Sequence, residues 1–270
     1  MRCRGRGGPG GGGLKALVAL ALVLPAAAVA QPTMDAARIR ADTFTYRVSF
    51  AGDELGTLQV SYERTGDGGL RVREQVSGTL GNETTTYVMS ADFRPLSAHR
   101  EGRLARAEAA LDLTYGDGSV SGQATVRADS ARPGQRAGDT RRVEVDRDLP
   151  PGVLDSNMLL AGLMASPLAP GDTLRYPIFR PGRGVVEARA LVAGADSVEV
   201  PAGTFDTFRV QLATDQGEFI LWVTRGTPRT LVRQVFAARP VEVLLRSVGA
   251  EPPSPARDTV DSAGEASGKR

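Results

Sequence analysis

Residues 43–50 read Thr-Phe-Thr-Tyr-Arg-Val-Ser-Phe, and the next two stretches repeat the pattern. Phe44, Tyr46, Val48 and Phe50 alternate with Thr43, Thr45, Arg47 and Ser49. Leu58, Val60 and Tyr62 alternate with Thr57, Gln59, Ser61 and Glu63, and Leu70, Val72 and Val76 with Arg71, Arg73, Gln75 and Ser77. A period of two means strands with one dry and one wet face. The links Ala51-Gly52-Asp53-Glu54 and Thr65-Gly66-Asp67-Gly68-Gly69 are hairpin turns, and links this short join only antiparallel neighbours. The chain therefore begins as an antiparallel meander.

The same reading extends outward. Thr84–Ala91 and Leu96–Leu104 are two more strands. Ala109, Leu111, Leu113 and Tyr115 turn through Gly116-Asp117-Gly118-Ser119 into Val120, Gly122, Ala124 and Val126, all predicted to face inward. After a polar loop at Ala128–Asp139, Thr140–Asp148 resumes the pattern. In the second half, strands are predicted at Thr173–Phe179, Val185–Val192, Asp196–Val200, Thr204–Ala213, Glu218–Thr224, Thr230–Phe236 and Val241–Val248.

One stretch breaks the period. Asp155 is a candidate N-cap, followed at helical spacing by Met158, Leu159, Leu163 and Met164 before Pro167. A helix of about this length is unstable alone in water and must dock. It is either a fixed core element or a lid. Strand Phe219–Val223 is apolar on both faces, with Phe219, Leu221 and Val223 on one side and Ile220 and Trp222 on the other. Such a strand is covered on both sides. The expected fold is all-β with one short helix near 155–165: a long, curved antiparallel meander forming a half-barrel or open barrel.

The termini read differently. Arg2, Arg4, Arg6 and Lys15 precede the apolar run Ala16–Leu24, and Ala28-Val29-Ala30 has the small-x-small form of a cleavage site. Residues 1–30 are therefore expected to be a cleaved Sec-type signal, which places the protein in the bacterial periplasm or outside the cell. Residues 31–41 are a short approach, 42–248 a single β domain, and 249–270 a polar tail expected to be disordered. No apolar run after the signal is long enough to cross a membrane as a helix.

Composition removes several functions. The chain has 33 Lys+Arg and 31 Asp+Glu; taking away the four basic residues of 1–30 leaves 29 against 31, a net charge near −2 with the signs mixed. Nucleic acid, which needs a concentrated basic surface, is not an expected partner. Cys3 is the only cysteine and His99 the only histidine. A disulfide and a zinc site are thus disfavoured. With no Gly-x-Ser-x-Gly elbow, His99 reads as a surface residue. Asp146, Asp148 and Asp155 do not follow calcium-loop spacing. No catalytic residue, metal or cofactor is expected, and the protein is read as a non-enzyme.

Residues 198–236 carry a family signature. Val200-Pro201-Ala202-Gly203 leads into Thr204-Phe205-Asp206-Thr207-Phe208-Arg209-Val210, then a strand bearing Trp222, then Pro228-Arg229-Thr230-Leu231-Val232-Arg233. Upstream, Pro167-Leu168-Ala169-Pro170-Gly171-Asp172 follows the short helix. This arrangement resembles the bacterial domain-of-unknown-function 3108 family, over about residues 42–248. The resemblance implies an exported β-rich envelope protein without established enzymatic activity. At the level of fold analogy alone, it also suggests kinship with periplasmic lipoprotein-carrier half-barrels.

A curved sheet closed over a helix leaves an apolar trough. Its expected walls include Leu159, Leu163, Phe179, Phe219 and Trp222. The leading functional expectation is a non-catalytic envelope protein that binds or carries an apolar small molecule, lipid, acyl chain or lipoprotein. The second is a scaffold that recruits an envelope protein by strand addition. A hydrolase of envelope polymers ranks third.

Overall fold

The computed structural model describes residues 32–104, 107–128, 136 and 138–249. The expected signal at 1–30, most of the 128–139 loop and the tail beyond Gly249 lie outside the described residues.

Among the described residues, fifteen strands form one sheet. In chain order they are β1 (Thr43–Phe50), β2 (Asp53–Arg64), β3 (Leu70–Gly78), β4 (Gly81–Met89), β5 (Pro95–Leu104), β6 (Ala107–Gly116), β7 (Ser119–Ala128), β8 (Thr140–Asp148), β9 (Leu154–Asp155), β10 (Thr173–Arg180), β11 (Gly184–Val200), β12 (Gly203–Thr214), β13 (Gly217–Thr224), β14 (Leu231–Phe236) and β15 (Val241–Val248). The helix α1 (Leu159–Ala165) follows one 3-10 turn at Ser156–Met158. The sheet is two meanders joined where β1 pairs with β15, so β8 and β9 are the outermost strands. Every ladder is antiparallel except the two-residue contact of β9 with β10.

The sheet curls until its ends approach each other, but β8 forms no ladder with β9 or β10. Tyr115 on β6 stacks edge-on against Phe179 on β10, 6.5 Å between ring centres, and its hydroxyl donates to Asp155 of β9. The Gly182 turn after β10 lies beside Arg141 and Val143 of β8. The result is an open barrel with a seam. Tight coiling uses glycine inside strands. Gly122 has φ +138°, and a Cβ there would stand 2.0 Å from the Asp112 carbonyl oxygen of the neighbouring strand.

Two boundaries differ from the sequence reading. The predicted strands 185–192 and 196–200 are one 17-residue strand, β11. A register irregularity between Val192 and Gly194 lets it continue past the residues that read as a break. The short β9 has no period of its own and was not expected.

The helix lies inside the curl and is buried almost all round: Ala161, Leu163 and Ala165 have no exposed surface. Asp155 caps the preceding turn, accepting from the Asn157 backbone N at 2.7 Å, as its position before the apolar run suggested. The C-terminal carbonyls, which a helix leaves without internal partners, are gathered by distant residues. Arg229 Nη1 donates to Met164 O at 3.0 Å and also to Ser166 O. Arg38 Nη1 donates to Ala165 O at 3.1 Å, which also accepts from Asp35 N at 3.0 Å. The Tyr176 hydroxyl donates to Ser166 Oγ, which donates to Gly162 O. Held at both ends, α1 is built as a core element rather than a lid.

Candidate functional site

Inside the first meander, inward-facing residues form rows that cross the ladders. One row runs Tyr62, Val72, Tyr87, Ala98, Leu113, Gly122, Val145. Its side chains, from Tyr62 to Leu113 and at Val145, are buried, and Gly122 brings none. Two residues along each strand the row is Val60, Glu74, Thr85, Arg100, Leu111, Ala124, Val143, where burial becomes partial. One step further, Val126 is 42% exposed. The barrel interior is therefore shut at one end and open at the other.

The second meander shows the same gradient. Val210 and Leu221 are buried, whereas Phe219 and Phe236, one row nearer the opening, are half-buried and stack edge-on with centres 4.8 Å apart. Between the two meanders lies a cavity of about 310 Å³. Leu159 and Leu160 from the start of α1, Ile178, Leu212, Phe219 and Leu221 give it an apolar wall. Glu74 and Gln234 are polar groups along its lining, and Arg180 with Asp215 forms an ion pair there. Its volume is at the lower end of the small-molecule range.

Glu74 is the unusual member. Tyr87 donates to its Oε1 at 3.0 Å, while Oε2 has no hydrogen-bond partner among the described residues. Burial raises its carboxyl from 4.5 to about 7, against the opposing Tyr87 hydrogen bond and the nearby Arg100 guanidinium. Glu83, buried on β4, is already matched by Arg100 at 2.6 Å. Asp155, further inside, is satisfied by Tyr115 and by the Asn157 backbone and side chain, and burial raises its pKa also. The bond from Tyr115 fastens β6 to the turn before the helix, and the two from Asn157 close that turn.

Of the five residues expected to wall a trough, Leu159 and Phe219 meet at the cavity. Leu163 and Phe179 are buried in the core, at 0% and 2% exposure, and do not line it. Trp222 is on the other face of β13. Its indole N donates to Asp196 Oδ2 at 2.9 Å, and Arg233 lies over the ring, 4.7 Å from its centre. That stack is the cover which the two-faced apolar strand required. His99 is exposed beside Glu101 on β5, and Asp146 and Asp148 are exposed on β8. Glu74, Gln234 and Arg180 were missed as cavity residues. Glu74 had a readable signal: it occupies the inward register between Val72 and Val76, where an apolar residue belongs.

Strand order, helix and hairpin motif agree with the family expectation, and a family profile described as "Protein of unknown function (DUF3108)" matches residues 45–237. The chain belongs to this family. Within the DUF3108 region, Val200 ends β11, Gly203 opens β12, and Phe208, Val210 and Leu212 are buried, so the family signature is a hairpin that packs the core. No curated protein is similar enough to match. Two solved structures match the chain at low similarity. One is a beta-barrel-like protein of domain of unknown function DUF1849 from Brucella abortus, with 11% identity and a TM-score of 0.47, covering 79% of this chain and 100% of that one. The other is a protein with YmcC-like fold from Bacteroides fragilis, with 11% identity and a TM-score of 0.26, covering 82% and 98%.

Proposed function

We propose that this protein is an exported, non-catalytic binding protein of the bacterial envelope that takes an apolar ligand into the open end of its barrel. The observation that carries this reading is the cavity between α1 and β12–β13, walled by Leu159, Leu160, Ile178, Leu212, Phe219 and Leu221. Apolar walls with a few placed polar groups are the usual make-up of a small-molecule site. Export rests on the form of residues 1–30. Among the described residues no helix is long and apolar enough to cross a membrane, which is compatible with release from a cleaved signal.

The scaffold reading ranks second. β8 is one edge of the sheet, but Arg141, Arg142, Glu144, Asp146, Arg147 and Asp148 load it with charge, and charged edges resist strand addition. The ligand reading is tested by native mass spectrometry of the protein after gentle extraction from envelopes, together with titration by the uncharged fluorophore N-phenyl-1-naphthylamine. A co-purifying apolar mass, or saturable fluorophore binding at one site, supports it. A ligand-free protein that binds no fluorophore overturns it.

A further inference from the structure

We propose that the cavity selects amphiphiles with a cationic head, a protonated amine that pairs with Glu74 Oε2 while the apolar body lies against Leu160, Leu212 and Phe219. This rests on the binding-protein reading and assigns its ligand a chemical class.

The charge balance of the lining points to it. Arg180 and Asp215 cancel each other as an ion pair. The neighbouring acid, Glu83, is already neutralised by Arg100. Glu74 is left as the one acidic group of the lining without a cation of its own among the described residues. Its Oε1 accepts from Tyr87, and its second oxygen is free to accept. Even a half-buried carboxylate lacking a counter-charge loses part of its hydration, and a ligand that brings the missing cation relieves that cost. A carboxylate-headed ligand would add a second negative charge and be rejected.

The groups that face Glu74 support this assignment. Tyr46 on β1, Tyr62 on β2 and Tyr87 on β4 are all buried, and burial holds their hydroxyls neutral, far above their ordinary range. Glu83 on β4 and Arg100 on β5 are ion-paired. Across the cavity stand Arg180 on β10 and Asp215 after β12, also paired. Beyond Tyr87 is Asp155, bound by Tyr115 and Asn157. Glu74 is thus the group whose ionisation changes the charge of the cavity around neutral pH.

The test is isothermal titration of the full-length mature protein with dodecylammonium chloride, dodecanol and sodium dodecanoate, below their micelle-forming concentrations, from pH 5.5 to 8. The wild type should prefer the ammonium over the alcohol by about tenfold at pH 8, the size of one hydrogen bond to a charged group. That ratio should fall toward one at pH 5.5, where Glu74 is protonated. In Glu74→Gln the ratio should stay near one at every pH. If this variant does not fold by circular dichroism, the wild-type pH series decides alone. Equal affinity for ammonium and alcohol at pH 8, or a preference for dodecanoate, overturns the cationic head and leaves the apolar site standing. Failure of all three to bind overturns the apolar site itself.

Discussion

The shut and open ends of one barrel interior are made from the same strands and the same helix, yet they have different chemistry. At the shut end Tyr62, Val72, Tyr87, Ala98 and Leu113 form an unbroken buried row, and the carbonyls at the end of α1 are satisfied by Arg38 and Arg229. At the open end, two residues along each strand, the row carries Glu74 and Arg100, and Leu160, Phe219 and Phe236 keep part of their surface. The shut end carries the stability and leaves the other end free to tolerate groups that a packed core would reject.

Truncations on α1 should expose this asymmetry most strongly. Leu163→Ala, at the shut end, should cost about 2–5 kcal/mol in urea unfolding, as large-to-small core changes do. Leu160→Ala, three residues earlier on the cavity side, should cost about 1 kcal/mol or less. Equal costs would break the comparison.

Next in size is a pH effect. The folded-state pKa of Glu74 is raised from 4.5 to about 7, so the folded protein holds a proton that the unfolded chain releases. Its contribution is complete below pH 4.5 and is lost as pH rises through 7. Glu74→Gln should therefore match the wild type near pH 4 and exceed it at pH 8, by at most about 3 kcal/mol. Urea midpoints across that range check it, and a gap that widens toward acid would contradict the assignment.

Arg229→Met should cost about 1–3 kcal/mol by leaving the Met164 and Ser166 carbonyls buried without this donor. A cost near zero would mean that Arg38, Asp35 and the Tyr176–Ser166 pair hold the helix end without it. The smallest effect belongs to His99→Ala, expected within about 0.5 kcal/mol of wild type because the ring is exposed beside Glu101.

The sequence made the architecture legible because each strand repeats its burial pattern over many residues. Period-two alternation located most of the strands, and the break at Asp155 located the helix and its cap. What stayed hidden depends on contacts between residues far apart in the chain. Arg229 reaches helix carbonyls 65 residues away from it, and nothing in the Pro228-Arg229-Thr230 triplet announces that. Trp222 and Phe219 both read as trough walls, but the indole stacks under Arg233 and bonds Asp196 across β12. Glu74 is the instructive case. An acid in the inward register of an otherwise apolar strand is a visible local conflict, and such conflicts concentrate at functional sites. Here the conflict falls at the lining of the cavity.

The most direct test sets the two faces of β13 against each other, by titrating N-phenyl-1-naphthylamine into Phe219→Asp and Trp222→Phe. The cavity account predicts that Phe219→Asp loses binding by about tenfold or more while keeping its fold, and that Trp222→Phe binds as the wild type does. Binding that survives Phe219→Asp, or disappears in Trp222→Phe, would contradict a site at the open end of the barrel.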